Sequence, residues 1–206
     1  VGGRIHVGTP YEVALQTAVF SRFNVERVVR YAFELARTRR RHLTSVTKSN
    51  AQQYSMVFWD EVVASVAADY PDVEVQSLLV DAAAALMVRA PERFDVVVAS
   101  NLFADILTDL GGALMGSLGL APSANLAADP AHPSLFEPIH GSAPDIAGRG
   151  VANPLGAIWA GAMMLEHLGE ADAAARVMRA IEATTAEGTT LTPDLGGTAS
   201  TDQVAE

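Results

Sequence analysis

Residues 94–110 read FDVVVASNLFADILTDL, and this stretch decides the fold class. Its first seven residues form a nearly continuous apolar run, which is typical of a central parallel strand covered on both faces. The residues that follow repeat apolar side chains at helical spacing, so a helix is predicted directly after the strand. A strand that leads straight into a helix is the building unit of an α/β fold, with a parallel or mixed sheet between flanking helices.

The remainder of the chain also alternates strands and helices. Loose alternation over residues 4–20, interrupted by Gly8-Thr9-Pro10, predicts an antiparallel hairpin of the kind that often packs on a partner. Residues 116–152 are rich in Gly, Pro, Ser and Asn, which indicates a functional loop region. The helix over 154–168 is almost wholly apolar and is expected to be buried. The other predicted elements are strands at 42–46 and 72–79 and helices at 56–70, 81–89 and 172–187, together with one that starts at the cap Asn24.

Composition excludes several classes of protein. The 206 residues carry 14 basic and 24 acidic side chains, a net charge of −10, and no cysteine. Such a chain offers no electrostatic footprint for nucleic acid or anionic lipid, and its one dense basic run, Arg37–Arg41, is expected to be a solvated helix end. Disulfides, thiolate zinc sites and cysteine nucleophiles are excluded. No apolar stretch is long enough to span a bilayer, so a cytoplasmic protein is expected. Because the sequence starts at Val1 and not at a methionine, we expect it to begin within a larger protein.

Two carboxylates on the predicted helix point to a cation. Asp105 and Asp109 lie one turn apart, so both project from one side, on the flank of an apolar arc centred near Ile106 and Leu110. The carboxyl end of a parallel strand is where open α/β sheets bind ligands, and hard cations prefer carboxylate oxygens. The alternative is that acidic residues early in a helix simply suit its dipole.

Lys48 is the only lysine, because the other 13 basic residues are arginine. Lysine can lose its proton in a desolvated site whereas arginine cannot, so this residue, in the loop after a strand, is a candidate general base. The alternative is a surface lysine on a turn. Asp81, at the start of the helix after the 72–79 strand, is either a first-turn acid or a third metal carboxylate.

The loop at 136–153 reads FEPIHGSAPDIAGRGVAN and combines small residues with one acidic side chain, Asp145. Small residues let the backbone approach a flat ligand, and a carboxylate can accept hydrogen bonds from both hydroxyls of a ribose. No GxGxxG follows a strand, so this is not the usual dinucleotide fingerprint. Taken singly, His140 is more often a hydrogen-bonded loop residue and Asn153 a helix cap. No serine lies in GxSxG, which sets aside that class of hydrolase.

Together these motifs resemble the β-decarboxylating dehydrogenases, the family of isopropylmalate, isocitrate, tartrate and D-malate dehydrogenases. The resemblance covers nearly the whole chain, in order, through TKSN, VDA, SNLFADILTDL, GLAPSANL, FEPIHGSAPDIAGRGVANP and TPDLGG. The segments RYAFELA and TKSNAQQYSMVFWDE are most similar to the tartrate and D-malate branch. Isopropylmalate enzymes more often carry an acidic residue and alanine where this chain has Thr47 and Ser49.

The resemblance implies a two-domain isopropylmalate dehydrogenase-like fold, here incomplete, with residues 1–113 in a smaller dimer-forming domain and 114–206 in part of a larger nucleotide-binding domain. It implies a homodimer with shared active sites, in which Lys48, acting through a water as the base for the substrate hydroxyl, and Asp81 reach the site from the second subunit. Asp145 would favour NAD over its phosphorylated form. The implied metal ligands for Mg²⁺ or Mn²⁺ are Asp81, Asp105 and Asp109, and the implied NAD-binding residues are His140, Gly141, Ser142, Ala143, Pro144, Asp145, Ile146 and Asn153.

The chain resembles only the second half of such enzymes. The first half holds the arginines that clamp the substrate carboxylates and the tyrosine that protonates the enolate. The chain is therefore expected to be part of an NAD- and metal-dependent oxidative decarboxylase that acts on a malate-like 2-hydroxy acid, either tartrate or D-malate. The alternatives are a 3-isopropylmalate dehydrogenase, a catalytically inactive fragment that only dimerises, and an α/β binding protein with a divalent site and no chemistry.

Overall fold

The computed structural model describes residues 2–127, 129 and 131–206. The chain divides into two compact units, the first ending at Ala104 and the second covering Asp105–Glu206. This division and the boundary predicted at residue 113 both fall within one helix, α4 (Asn101–Leu114).

The first unit opens with the predicted hairpin, which is confirmed. Strands β1 (Gly2–Ile5) and β2 (Val13–Gln16) pair antiparallel, with Gly2 opposite Gln16. Every residue of both strands is exposed. Because successive side chains of a strand point to opposite faces, both faces of this hairpin are open within the chain.

A parallel sheet of three strands forms the centre of the first unit. Strands β3 (His42–Thr47), β4 (Glu74–Leu79) and β5 (Val96–Val98) are arranged in the order β4-β3-β5. The prediction that the FDVVVAS run is a central strand is therefore wrong, since β5 lies at the edge of this sheet among the described residues. The central strand is β3, which is buried from Leu43 to Thr47 although three of those five residues are polar. Whether a strand is central or at the edge of a sheet depends on which strands pair with it, and the hydrophobicity of its own sequence does not determine this.

Three helices flank this sheet: α1 (Arg22–Arg37), α2 (Ser55–Ala67) and α3 (Val80–Arg89). The prediction that Asn24 caps α1, which was based on the first apolar residue at helical spacing, is wrong. The hydroxyl of Ser21 accepts a hydrogen bond from the Asn24 backbone N–H at 3.4 Å and caps the helix one turn earlier. The first turn carries no buried side chain, so periodicity could not detect it.

Side-chain contacts join the helices to the sheet. The buried Trp59 of α2 donates its indole N–H to the Ser45 hydroxyl of β3 at 3.0 Å. Phe33 of α1 stacks on Tyr70, with ring centroids 4.6 Å apart. These contacts hold α1 and α2 against the core, so the strand that leads to Lys48 is fixed on its buried side.

The arginine run at the end of α1 is exposed, as predicted, but its side chains are paired with acids. Arg37 binds Asp72 through Nε and Nη2, at 3.0 and 2.7 Å. Arg39 Nε binds Asp95 at 2.9 Å, and the Arg40 backbone N–H donates to the same carboxylate at 2.8 Å. Burial works to raise the pKa of Asp95, but these hydrogen bonds outweigh it and hold the pKa below its usual value. The run therefore anchors the end of α1 to the residue just before β5.

The second unit contains a second hairpin that the sequence did not predict. Strands β6 (Pro122–Asn125) and β7 (Leu135–Pro138) pair antiparallel inside the region interpreted as a long functional loop. The helices that follow are α5 (Leu155–His167), α6 (Ala171–Glu187) and the short α7 (Thr201–Ala205). Their core is formed by Leu155, Ile181 and Val204.

Helix α5 starts at Leu155, one residue later than the predicted cap at Asn153 and first helical residue at Pro154, because Pro154 is the N-cap. The Asn153 side chain accepts from the Leu155 backbone N–H at 3.0 Å. The expectation that this apolar helix is wholly buried is wrong in part. Leu155, Gly156, Ala160 and Ala162 are buried, whereas Met164 is exposed. Within the described part of the chain, no helix combines the length and apolar character needed to cross a membrane.

Candidate active site

Lys48 and Asp81 meet at the carboxyl edge of the parallel sheet. Strands β3 and β4 end in register, with Thr47 opposite Leu79. Lys48 follows β3 directly, and Asp81 lies in the first turn of α3, which begins directly after β4. The Lys48 ammonium nitrogen Nζ lies 2.5 Å from Asp81 Oδ1. Two residues that the sequence singled out separately are thus an ion pair in the place where parallel sheets bind ligands.

This pair remains accessible to a ligand. The side chain of Lys48 is 27% exposed and that of Asp81 is 66% exposed. The hydrogen bond from Lys48, with a smaller contribution from a backbone hydrogen bond, holds the pKa of Asp81 below its usual value. Asp81 is consequently a charged carboxylate at neutral pH and retains an oxygen for a cation or a water.

Asp105 and Asp109 share an exposed face of α4. Both aspartates are exposed and lie one turn apart, and the apolar side chains Leu102 and Ile106 of the same helix are exposed as well. The apolar arc that was expected to centre near Ile106 is rotated, because Phe103 and Leu107 are the buried members. The two carboxylates therefore lie on the same open surface as two large apolar groups.

The predicted metal ligands do not form a complete cluster. Among the residues that the structure describes, no three histidine or carboxylate side chains are grouped so that they could hold a metal ion. Carboxylate oxygens are the right donors for Mg²⁺ or Mn²⁺. A site built from Asp81, Asp105 and Asp109 stays a prediction, and the resemblance requires a second chain to complete it.

The loop over residues 139–153 is anchored near its ends and open in its middle. The Ile139 backbone N–H donates to the Ala121 carbonyl at 3.0 Å, and Thr201 donates to the carbonyls of Gly150 and Ala152 at 2.9 and 2.6 Å. Between these anchors the loop makes its own turns, as from the Ile146 N–H to the carbonyl of Ala143. The exposed residues include His140, Gly141, Ser142, Pro144 and Asp145, whereas Ala143 and Ile146 are partly buried.

Two of these residues have conformations that the sequence left open. His140 Nδ1 donates to the adjacent Gly141 carbonyl at 3.0 Å, so it is a hydrogen-bonded loop histidine here. Ala143 has a positive φ of 41°, which is unusual for a residue with a Cβ and marks a tightly turned backbone. Asp145 is exposed, so its carboxylate is accessible as a hydrogen-bond acceptor, and nucleotide binding by this loop stays a prediction.

Asn153 is held by a carboxylate that the sequence analysis missed. It is only 7% exposed, and its Nδ2 donates to Asp194 Oδ2 at 3.0 Å. The Ser117 hydroxyl donates to the same oxygen. Asp194 lies in TPDLGG at 192–197, which served only as part of the family resemblance, so that motif was the available signal.

The charge of Asp194 is stabilised by these donors. Burial works to raise its pKa, but the hydrogen bonds from Ser117 and Asn153 outweigh burial and hold the pKa below its usual value. The buried Thr192 hydroxyl also contributes, although it lies outside full hydrogen-bonding geometry. Asp194 is therefore an ionised, partly buried group at neutral pH.

A separate apolar cleft of about 740 Å³ lies in the first unit, lined by residues 18–21, the start of α1, Trp59 and residues 99–104. None of the predicted site residues lines it. The candidate site residues lie elsewhere: the Lys48–Asp81 pair in the first unit, and the α4 carboxylates and the 139–153 loop in the second.

Comparison with known proteins identifies the family. The profile described as isocitrate/isopropylmalate dehydrogenase matches residues 3–206. The chain is 57% identical to a probable tartrate dehydrogenase/decarboxylase of Agrobacterium vitis, over all of this chain and 57% of that protein. It is 53% identical to the D-malate dehydrogenase [decarboxylating] of Escherichia coli, over all of this chain and 58% of that protein. The crystal structure of isocitrate dehydrogenase from Methylococcus capsulatus superposes with a TM-score of 0.92 at 42% identity, covering all of this chain and 61% of that one.

The chain therefore belongs to the isocitrate/isopropylmalate dehydrogenase family, and the predicted α/β fold of this type is confirmed. It spans somewhat more than half the length of the curated relatives it matches.

Proposed function

We propose that the protein containing this chain oxidises and decarboxylates a malate-like 2-hydroxy acid, tartrate or D-malate, with NAD and a divalent cation. The observation that carries the proposal is the Lys48–Asp81 pair, which lies at the carboxyl edge of the sheet in a chain that matches tartrate and D-malate dehydrogenases over its full length.

Lys48 is the proposed base for the substrate 2-hydroxyl, acting through a water. Its amine is partly shielded from solvent and is directed by Asp81 at 2.5 Å. A proton that leaves the hydroxyl can pass to the amine once that amine is neutral, and the neighbouring carboxylate then stabilises the ammonium that forms. Once the hydroxyl-bearing carbon is oxidised to a ketone, loss of the β-carboxylate as carbon dioxide would leave an enolate. Its protonation, by the tyrosine that the resemblance assigns to the first half of such enzymes, would complete the reaction.

The donor sets fit the two groups that the family implies. Asp105 and Asp109, with Asp81 of a second copy, would hold the divalent cation, which supplies Lewis-acid stabilisation of negative charge on the substrate oxygens. Residues 140–146 and Asn153 would hold NAD, which supplies the hydride acceptor. The Asp145 carboxylate would repel a 2′-phosphate, so NAD is favoured over NADP.

The second copy is part of the proposal. Both faces of the β1-β2 hairpin are exposed, and they carry the large apolar side chains Ile5, Val13 and Leu15. An unpaired hairpin with apolar faces is suited to pack on an identical hairpin in a symmetric dimer. Pairing of two copies would bring Lys48 and Asp81 of one to the α4 carboxylates of the other.

Tartrate and D-malate are favoured over 3-isopropylmalate on one local feature. Thr47 and Ser49 flank Lys48 where isopropylmalate enzymes more often have an acidic residue and alanine. Among the described residues none is a hydrogen-bond partner of the buried Thr47 hydroxyl, so this hydroxyl is available to a neighbouring polar group.

The test uses the full-length protein with Mn²⁺ and NAD. Formation of reduced nicotinamide is followed with D-malate, tartrate and 3-isopropylmalate, and we expect turnover of one of the first two. Lys48→Arg keeps the charge but cannot lose its proton, so it should lower kcat by roughly 10²- to 10⁴-fold. Absence of turnover with all three acids would contradict the proposal, and a dimer without turnover would favour the inactive dimerising alternative.

A further inference from the structure

Asp194 connects three segments of the second unit that are far apart in the sequence. Its Oδ2 accepts from Ser117, 77 residues away, and from Asn153, 41 residues away. The Ser117 hydroxyl in turn accepts from the Gly119 N–H at 2.9 Å. One carboxylate oxygen thus joins the turn at 117–121, the end of the 139–153 loop and the turn at 192–196.

The packing around this carboxylate is close. A Cβ on Gly119 would lie 2.7 Å from Asn153 Cβ and 3.1 Å from Asp194 Oδ2. A Cβ on Gly156 would lie 2.7 Å from the Gly119 carbonyl oxygen. The lack of a Cβ at Gly119 therefore lets its backbone lie close to Asn153 and Asp194.

Both polar ends of the Asn153 side chain are occupied. Oδ1 accepts from the Leu155 N–H, and Nδ2 donates to Asp194. One N–H of Nδ2 is bonded to Asp194, and the second N–H of the same amide remains for a ligand. The direction of that donor and the position of the Asn153 main chain both depend on this anchor.

We propose that Asp194 is a positioning residue for the nucleotide: it fixes Asn153 and with it the C-terminal end of the 139–153 loop. The inference rests on the proposed function, since it is that function which assigns the loop to NAD. Asp194 acts through Asn153 and is assigned no contact with the nucleotide or the substrate.

The test compares variants of the full-length protein. Asp194→Asn removes the charge and leaves only a neutral amide oxygen to accept from Ser117 and Asn153, which is a weaker acceptor than a carboxylate. We expect the KM for NAD and the Kd of NAD by titration calorimetry to rise at least about tenfold, as for loss of a charge-assisted hydrogen bond. The kcat and the KM for the hydroxy acid should stay within about twofold, because neither depends on this loop end. Asp172→Asn, an exposed charge change in the first turn of α6, is the matched control and should alter nothing.

A swap of the pair provides the second measurement. Asn153→Asp alone places two carboxylates next to each other and should weaken NAD binding. Asn153→Asp combined with Asp194→Asn recreates an amide–carboxylate hydrogen bond and should recover most of the affinity for NAD. The inference is overturned if a folded Asp194→Asn binds NAD as the wild type does. It is equally overturned if all kinetic constants and the Tm worsen together and the swap restores none of them. Should the wild type turn over no acid, the proposed function fails, and the NAD titrations still decide the role of Asp194.

Discussion

Removal of the hydrogen bond between Trp59 and Ser45 should destabilise the first unit by a predictable amount. Ser45→Ala leaves the indole N–H of a residue that is 2% exposed without its acceptor. An unsatisfied buried donor costs about 1–3 kcal/mol, so the free energy of unfolding should fall by that amount. Trp59→Phe should cost at least as much, because it orphans the Ser45 hydroxyl and also leaves a void.

The double variant separates the hydrogen bond from the packing. Ser45→Ala with Trp59→Phe leaves no unpaired polar atom, so its cost should fall short of the two single costs added together by about 1 kcal/mol. Urea unfolding of the full-length protein, with hydrogen exchange of the β3 amides, measures each cost. Ser77→Ala is the control, since Ser77 faces Ser45 in the register of β4 but is exposed. Costs that add to within about 0.5 kcal/mol would refute the reasoning.

Three further outcomes are expected. The pKa of Asp194 in the folded state lies below its unfolded value of about 3.9, so its stabilising contribution is complete above that pH and is lost as the pH falls through the folded pKa. Asp194→Asn should therefore make the urea midpoint less dependent on pH below about 4. Gly119→Ala should destabilise by about 1–3 kcal/mol through overpacking, whereas Gly111→Ala, with open space around it, should not, as thermal unfolding would show. Asp95→Asn should lower the urea midpoint, because the Asp95 carboxylate is 2% exposed and binds Arg39 and Arg40. An unchanged midpoint would mean that the arginine run is a solvated helix end that contributes no stability.

Local patterns predicted much of the fold. The first hairpin, the parallel strands β3 and β4 and the helices α2, α3, α5 and α6 all follow from periodicity, turn residues and stop signals that act over a few residues. The start of α1 and the β6-β7 hairpin could not be predicted in this way, because an exposed first turn and short strands of mixed polarity give no periodic signal.

The candidate site divides in the same way. Lys48 and Asp81 could be proposed singly from their positions after strands, and their pairing follows from the register of β3 and β4. The TPDLGG motif marked the segment that contains Asp194, but the role of this residue could not be predicted, since nothing near it in the sequence indicates that Ser117 and Asn153 converge on it.

The sequence by itself determined the α/β class, the family and the residue types available for chemistry, because each depends on composition, spacing and motifs. Only the tertiary structure decided that the polar β3, and not the apolar β5, is central, that α4 buries Phe103 and Leu107 while Ile106 stays exposed, and that one carboxylate holds the end of the 139–153 loop. These facts depend on which distant segments pack together, and burial and hydrogen bonding between such segments leave no trace in local spacing.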